Sequence, residues 1–126
     1  MITGVRSVGI FVRDQDRAKQ FFTERLGFDL VQDSPMGEGE NAPRWIEIAP
    51  KERNVLLVLF TPEGQEERVG TFSNVIFHAE DIQATHQELS AKGVEFPEPP
   101  RKEFWGWWAT FKDPDGNTYG LGERGE

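Results

Sequence analysis

The feature that most limits how this chain can fold is a copy of itself. Val8-x-Ile10-x-Val12-x-Asp14 returns as Val75-x-Phe77-x-Ala79-x-Asp81, displaced by about 67 residues. In both copies the apolar residues alternate, which predicts a strand with one packed face. In both, an Asp stands where a helix N-cap belongs. The first predicted helix carries Ala18, Phe21, Phe22 and Leu26 on one stripe and stops at Gly27; the second carries Ile82, Thr85, His86 and Leu89 and stops at Lys92-Gly93. Further strands are predicted at Phe28–Val31, Trp45–Ile48 and Val55–Phe60. Their counterparts are Val94–Phe96, Phe104–Phe111 and a last strand holding Tyr119 and Leu121. A Pro-rich link, Pro97-Glu98-Pro99-Pro100, and a turn, Asp113-Pro114-Asp115-Gly116-Asn117, separate the later strands.

The order β-α-β-β-β therefore occurs twice, which predicts an α+β fold. Neither copy can bury a core alone, so the expected arrangement is two βαβββ modules forming a curved mixed sheet around a groove. The chain is read as one domain, 1–126, made of module 1–60 and module 71–126 with a polar linker at 61–70.

Composition narrows the function. Fourteen Lys and Arg against 22 Asp and Glu give a formal charge of −8, the wrong sign for a nucleic-acid partner. No stretch approaches the roughly 20 apolar residues that span a bilayer, and Met1–Arg6 lacks a signal-peptide pattern, so no membrane partner and a cytoplasmic location are expected. With no Cys, thiolate chemistry is absent and a metal would need His, Asp, Glu or water.

The run Ala109-Thr110-Phe111-Lys112-Asp113-Pro114-Asp115-Gly116-Asn117, followed by Tyr119 and Leu121, resembles the closing hairpin of the glyoxalase/bleomycin resistance/extradiol dioxygenase group, the vicinal oxygen chelate superfamily. The stretch Ile82 to Leu89 with Lys92-Gly93-Val94 is similar to that family's second helix and following strand. The resemblance implies a homodimer. It also implies that metal-using members take ligands from the first and last strands of each module. Those positions fall on Ser7, Asn74, Val58 and Gly120. A hydroxyl, an amide and two side chains without donors are poor ligands for a divalent ion, so neither metal nor cofactor is expected.

Strand parity gives the remaining candidates. His78 shares the parity of Asn74 and faces the groove, as do Glu47 and Trp45 if Ile46 and Ile48 meet the helix. His78 and Glu47 are the candidate acid-base residues. His86 lies on the helical stripe and is expected to pack. Phe11 shares the parity of Ser7, and the run containing Trp105, Trp107 and Trp108 is dense enough to wall a groove, with Trp107 and Trp108 on opposite faces. Residues 33–43 are expected to form an acidic loop. The sequence thus predicts a binding protein for a small molecule of aromatic or cationic character, its site comprising Ser7, Phe11, Trp45, Val58, Asn74, His78, Trp105, Trp107, Trp108 and Gly120. The alternative is a lyase- or dioxygenase-type enzyme of the same superfamily, with or without metal.

Overall fold

The computed structural model describes residues 1–40, 42–61 and 64–124. The backbone divides into two units, Met1–Val69 and Gly70–Glu126. Each holds one four-stranded mixed sheet with a helix, the tandem βαβββ plan.

In the first unit the elements are β1 (Ser7–Phe11), α1 (Gln15–Gln20), β2 (Asp29–Pro35), β3 (Arg44–Ala49) and β4 (Leu56–Phe60). The sheet order is β1-β4-β3-β2, with β1 parallel to β4 and the other pairs antiparallel. The Asp14 carboxylate accepts from the Arg17 amide at 3.1 Å and starts α1, satisfying a donor that the helix itself leaves unpaired. The helix then widens into one π turn, Phe21–Arg25, where two consecutive phenylalanines are both buried. Ile10, Leu57, Leu59, Ile46 and Ile48 form the buried face of the sheet beneath Ala18 and Phe22.

In the second unit the elements are β5 (Phe72–His78), α2 (Ile82–Ala91), β6 (Arg101–Glu103), β7 (Gly106–Lys112) and β8 (Thr118–Arg124), in the order β5-β8-β7-β6. Asp81 caps α2 by accepting from the Ala84 amide at 3.1 Å. Phe77, Phe111 and Tyr119 stack at centroid distances of 5.4 to 6.0 Å, and Phe96 joins Phe111 at 5.7 Å. The turn after β7 is a buried polar knot. Asp113 accepts from the Tyr119 hydroxyl at 2.6 Å, from the Asn117 amide group at 2.9 Å, and from the backbone N–H groups of Asp115 and Asn117. Burial pushes the Asp113 carboxyl above its ordinary value despite these four donors.

Three sequence expectations need correction. Val94–Phe96 is not a strand but supplies one bridge, Glu95 to Lys112. The expected strand Phe104–Phe111 is a hairpin, with β6 and β7 joined by a turn at Phe104 and Trp105. The stretch 33–43 is not wholly a loop, since β2 runs to Pro35, with Asp33, Ser34 and Pro35 paired to Ile46, Trp45 and Arg44, and Asp33 is held by two cations. Lys19 Nζ approaches it at 2.8 Å and Arg44 Nε at 2.9 Å. Partial burial would raise the Asp33 carboxyl, but the hydrogen bonds from Arg44 and Lys19 outweigh it and hold the group below the usual carboxylate range. Position 41 of that stretch, and 62 and 63 of the expected linker, lie outside the described residues. Glu66–Arg68 forms a single 3₁₀ turn.

Candidate functional site

Because Ile10, Leu59 and Ile46 turn toward α1, their neighbours take the opposite face of the first sheet. Ser7, Gly9, Phe11, Trp45, Glu47 and Val58 share it. The register sets Gly9 beside Val58 and Val58 beside Glu47, one row across three strands. Gly9 has a steric reason to be glycine: a Cβ there would lie 2.6 Å from Phe60 Cε1, so the Phe60 ring rests directly on β1. Phe11 meets Phe60 edge-on at 4.9 Å, and the Arg68 guanidinium lies 4.9 Å from the centre of the Phe11 ring. Glu47, beside this cluster, is only 2% exposed. Arg6 Nη1 comes within 3.1 Å of its Oε2, close enough to pair charges, yet among the described residues no N–H is aimed to hydrogen-bond that oxygen.

The second sheet repeats the device with larger rings. Gly120 on β8 is buried, and a Cβ there would lie 3.0 Å from both Trp108 Cζ3 and Ile76 Cγ1. Trp108 therefore lies flat on β8, and Trp105 meets it edge-on at 5.6 Å while remaining 44% exposed. Trp107 takes the other face, that of Ala109 and Phe111, so Trp108 is the tryptophan on the Gly120 face. β5 is bulged: Phe72 pairs with Thr118 and the next pairing is Ile76 with Gly120. Asn74, in the middle, adopts a left-handed φ of 65°. Asn74, Ile76 and His78 are all exposed, and His78 pairs along the sheet with Gly122. His86 packs edge-on against Phe96 at 4.6 Å.

Glu47 belongs to the first unit and His78 to the second. At the four positions where the family resemblance implies metal ligands stand Ser7, Val58, Asn74 and Gly120. That donor set does not fit a first-row divalent ion. Among the described residues no three His, Cys, Asp or Glu side chains converge, and no helix is long and apolar enough to cross a membrane. Sequence reasoning passed over Gly9, Phe60 and Arg6. A glycine inside an otherwise apolar strand was the available signal, because it marks a close approach by something bulky.

The comparisons with known proteins agree with this architecture. The chain is 37% identical over 123 residues to YetH of Bacillus subtilis (strain 168), covering 98% of this chain and 100% of that one. Among solved structures it resembles TnmS3, an antibiotic binding protein from Streptomyces sp. CB03234, with 32% identity, 98% of each chain covered and a TM-score of 0.84. It also resembles a superfamily member from Sphaerobacter thermophilus DSM 20745, with 29% identity, 98% of each chain covered and a TM-score of 0.87. With residues 4–121 matched by the model of the Glyoxalase/Bleomycin resistance protein/Dioxygenase superfamily and the paired βαβββ units built as described, the chain belongs to that superfamily.

Proposed function

We propose that this protein binds a small molecule with a flat aromatic part and cationic character, and that it does so without a metal ion. The observation that carries the reading is Trp108 laid over Gly120 with Trp105 edge-on beside it, a stacking surface left partly exposed. The weak donors at positions 7, 58, 74 and 120 support the metal-free part, and the chain's charge of −8 supports the cationic preference. TnmS3, with 32% identity, binds an antibiotic, a precedent for ligand capture on this fold.

The test is a panel of planar aromatic antibiotics and dyes, read by quenching of tryptophan fluorescence and by melting temperature. A ligand that binds the native state raises the melting temperature by mass action. Trp108→Ala should abolish both responses while the protein still melts cooperatively. A panel that moves neither signal refutes binding. Stoichiometric Zn, Ni, Mn or Fe in the purified protein, with ligand binding lost on chelation, refutes the metal-free part.

A further inference from the structure

Gly122 is a glycine that the fold itself does not require. It lies on β8, between β5 and β7, and is held on both sides: it pairs with Trp108 and with His78, and its carbonyl accepts from the Ala79 amide at 2.9 Å. Its φ is outside the left-handed region. Among the described residues a Cβ there would meet only Trp108 Cε3, at 4.0 Å, an ordinary contact. Two positions earlier the case is opposite, because the Trp108 ring already fills the space over Gly120. Glycine inside a strand weakens it, and where neither backbone nor neighbours demand it, it marks a place that something else approaches closely. Residues paired across a sheet turn to one face, so Trp108, Gly122 and His78 form a row whose outer backbones lie roughly 9–10 Å apart. The missing side chain leaves a gap in that row, bordered by Trp108 Cε3 and by the exposed His78.

We infer that Gly122 is the floor of the ligand subsite: the ligand's flat ring lies against Trp108, its edge enters the gap over Gly122, and an imidazole nitrogen of His78 accepts from an N–H group on that edge. This rests on the aromatic-ligand reading above, lies wholly within the second unit, and adds the ligand class, an aromatic amine with N–H donors at the rim of its ring system. Neutral imidazole offers one accepting nitrogen. The hydrogen bond selects among flat ligands, since a ring that brings a fully alkylated nitrogen to His78 leaves that acceptor unmatched. A side chain at position 122 would fill the gap without disturbing the fold, so the glycine serves binding at some expense to the strand.

The experiment uses two dyes with one phenothiazinium ring and the same charge: thionine, which carries amino N–H groups, and methylene blue, in which those groups are methylated. Each is measured by equilibrium dialysis against the unaltered protein, Gly122→Ala, His78→Ala and Trp108→Ala, with thermal melts alongside. Gly122→Ala should raise the melting temperature by about 2–5 °C, because the unfolded chain loses freedom and nothing is displaced. It should also weaken both dyes about tenfold or more by filling the gap. His78→Ala should weaken thionine about fivefold or more and leave methylene blue unchanged, and Trp108→Ala should release both. If Trp108→Ala releases the dyes but Gly122→Ala binds them as before or melts lower, or if His78→Ala treats the two dyes alike, the inference falls while the aromatic-ligand reading stands. If neither dye binds the unaltered protein, both fall.

Discussion

Gly120→Ala puts one methyl into the closest approach of ring to backbone in the second unit. That methyl would stand 3.0 Å from Ile76 Cγ1 and from Trp108 Cζ3, with the Trp108 ring edge nearer still. Trp108 is braced by Trp105 at 5.6 Å, so the ring must lift off β8 instead of sliding aside. Overpacking of this kind costs about 1–3 kcal/mol. Replacing glycine also removes freedom from the unfolded chain, which offsets roughly 0.5–1 kcal/mol. The expected net loss is about 1–2 kcal/mol, a fall in melting temperature of roughly 4–8 °C for a domain of this size. Circular dichroism follows the fold and tryptophan fluorescence reports the displaced ring. In a Trp108→Ala background the ring contacts are gone and the 3.0 Å approach to Ile76 Cγ1 remains, so the cost of the same substitution should fall by about 1 kcal/mol or more. A melting temperature that rises on Gly120→Ala alone, or that shifts equally in both backgrounds, would refute the stacked arrangement.

Tyr119→Phe removes a 2.6 Å hydrogen bond to the buried Asp113 carboxyl and should cost about 1.5–3 kcal/mol in urea unfolding, with the slope unchanged. A loss below about 0.5 kcal/mol would show that the knot is not held by the hydroxyl. Asp33 gives a pH signature. Its native pKa lies below its unfolded value, taken as 3.8, so its contribution is complete above that value and is lost as pH falls through the lowered native one. Asp33→Asn should cost about 1 kcal/mol at neutral pH and flatten the acid limb of the stability profile below about pH 4. An acid limb identical in the variant would contradict that assignment.

Much of the fold was legible because its signals are local. An Asp ahead of an apolar stripe is a cap wherever the helix later packs, and Asp14 and Asp81 both behave so. The alternation around Val8 and Val75 survives because each strand has one face against a helix. The missed elements owe their form to partners distant in sequence. Asp33 through Pro35 look like loop, yet pairing with Arg44 through Ile46 makes them strand. Arg101 through Glu103 have no apolar pattern and exist as β6 only because β7 lies alongside. Glu47 was the least legible residue of the first sheet: a carboxylate between isoleucines reads as solvated, and only the folded chain shows it buried.

The bulge at Asn74 has a consequence for solubility. β5 is the outer strand of its sheet and shows two large apolar side chains, Phe72 at 45% and Ile76 at 61% exposure. A straight outer strand of that character is a template on which foreign strands add, the first step toward fibres. With Ser73 accepting from the Val75 amide and the chain twisted left-handed between them, the outer edge of β5 is not one continuous run of extended backbone. A would-be partner strand finds no continuous ladder to follow, so the protein can keep an oily surface open without inviting its own aggregation.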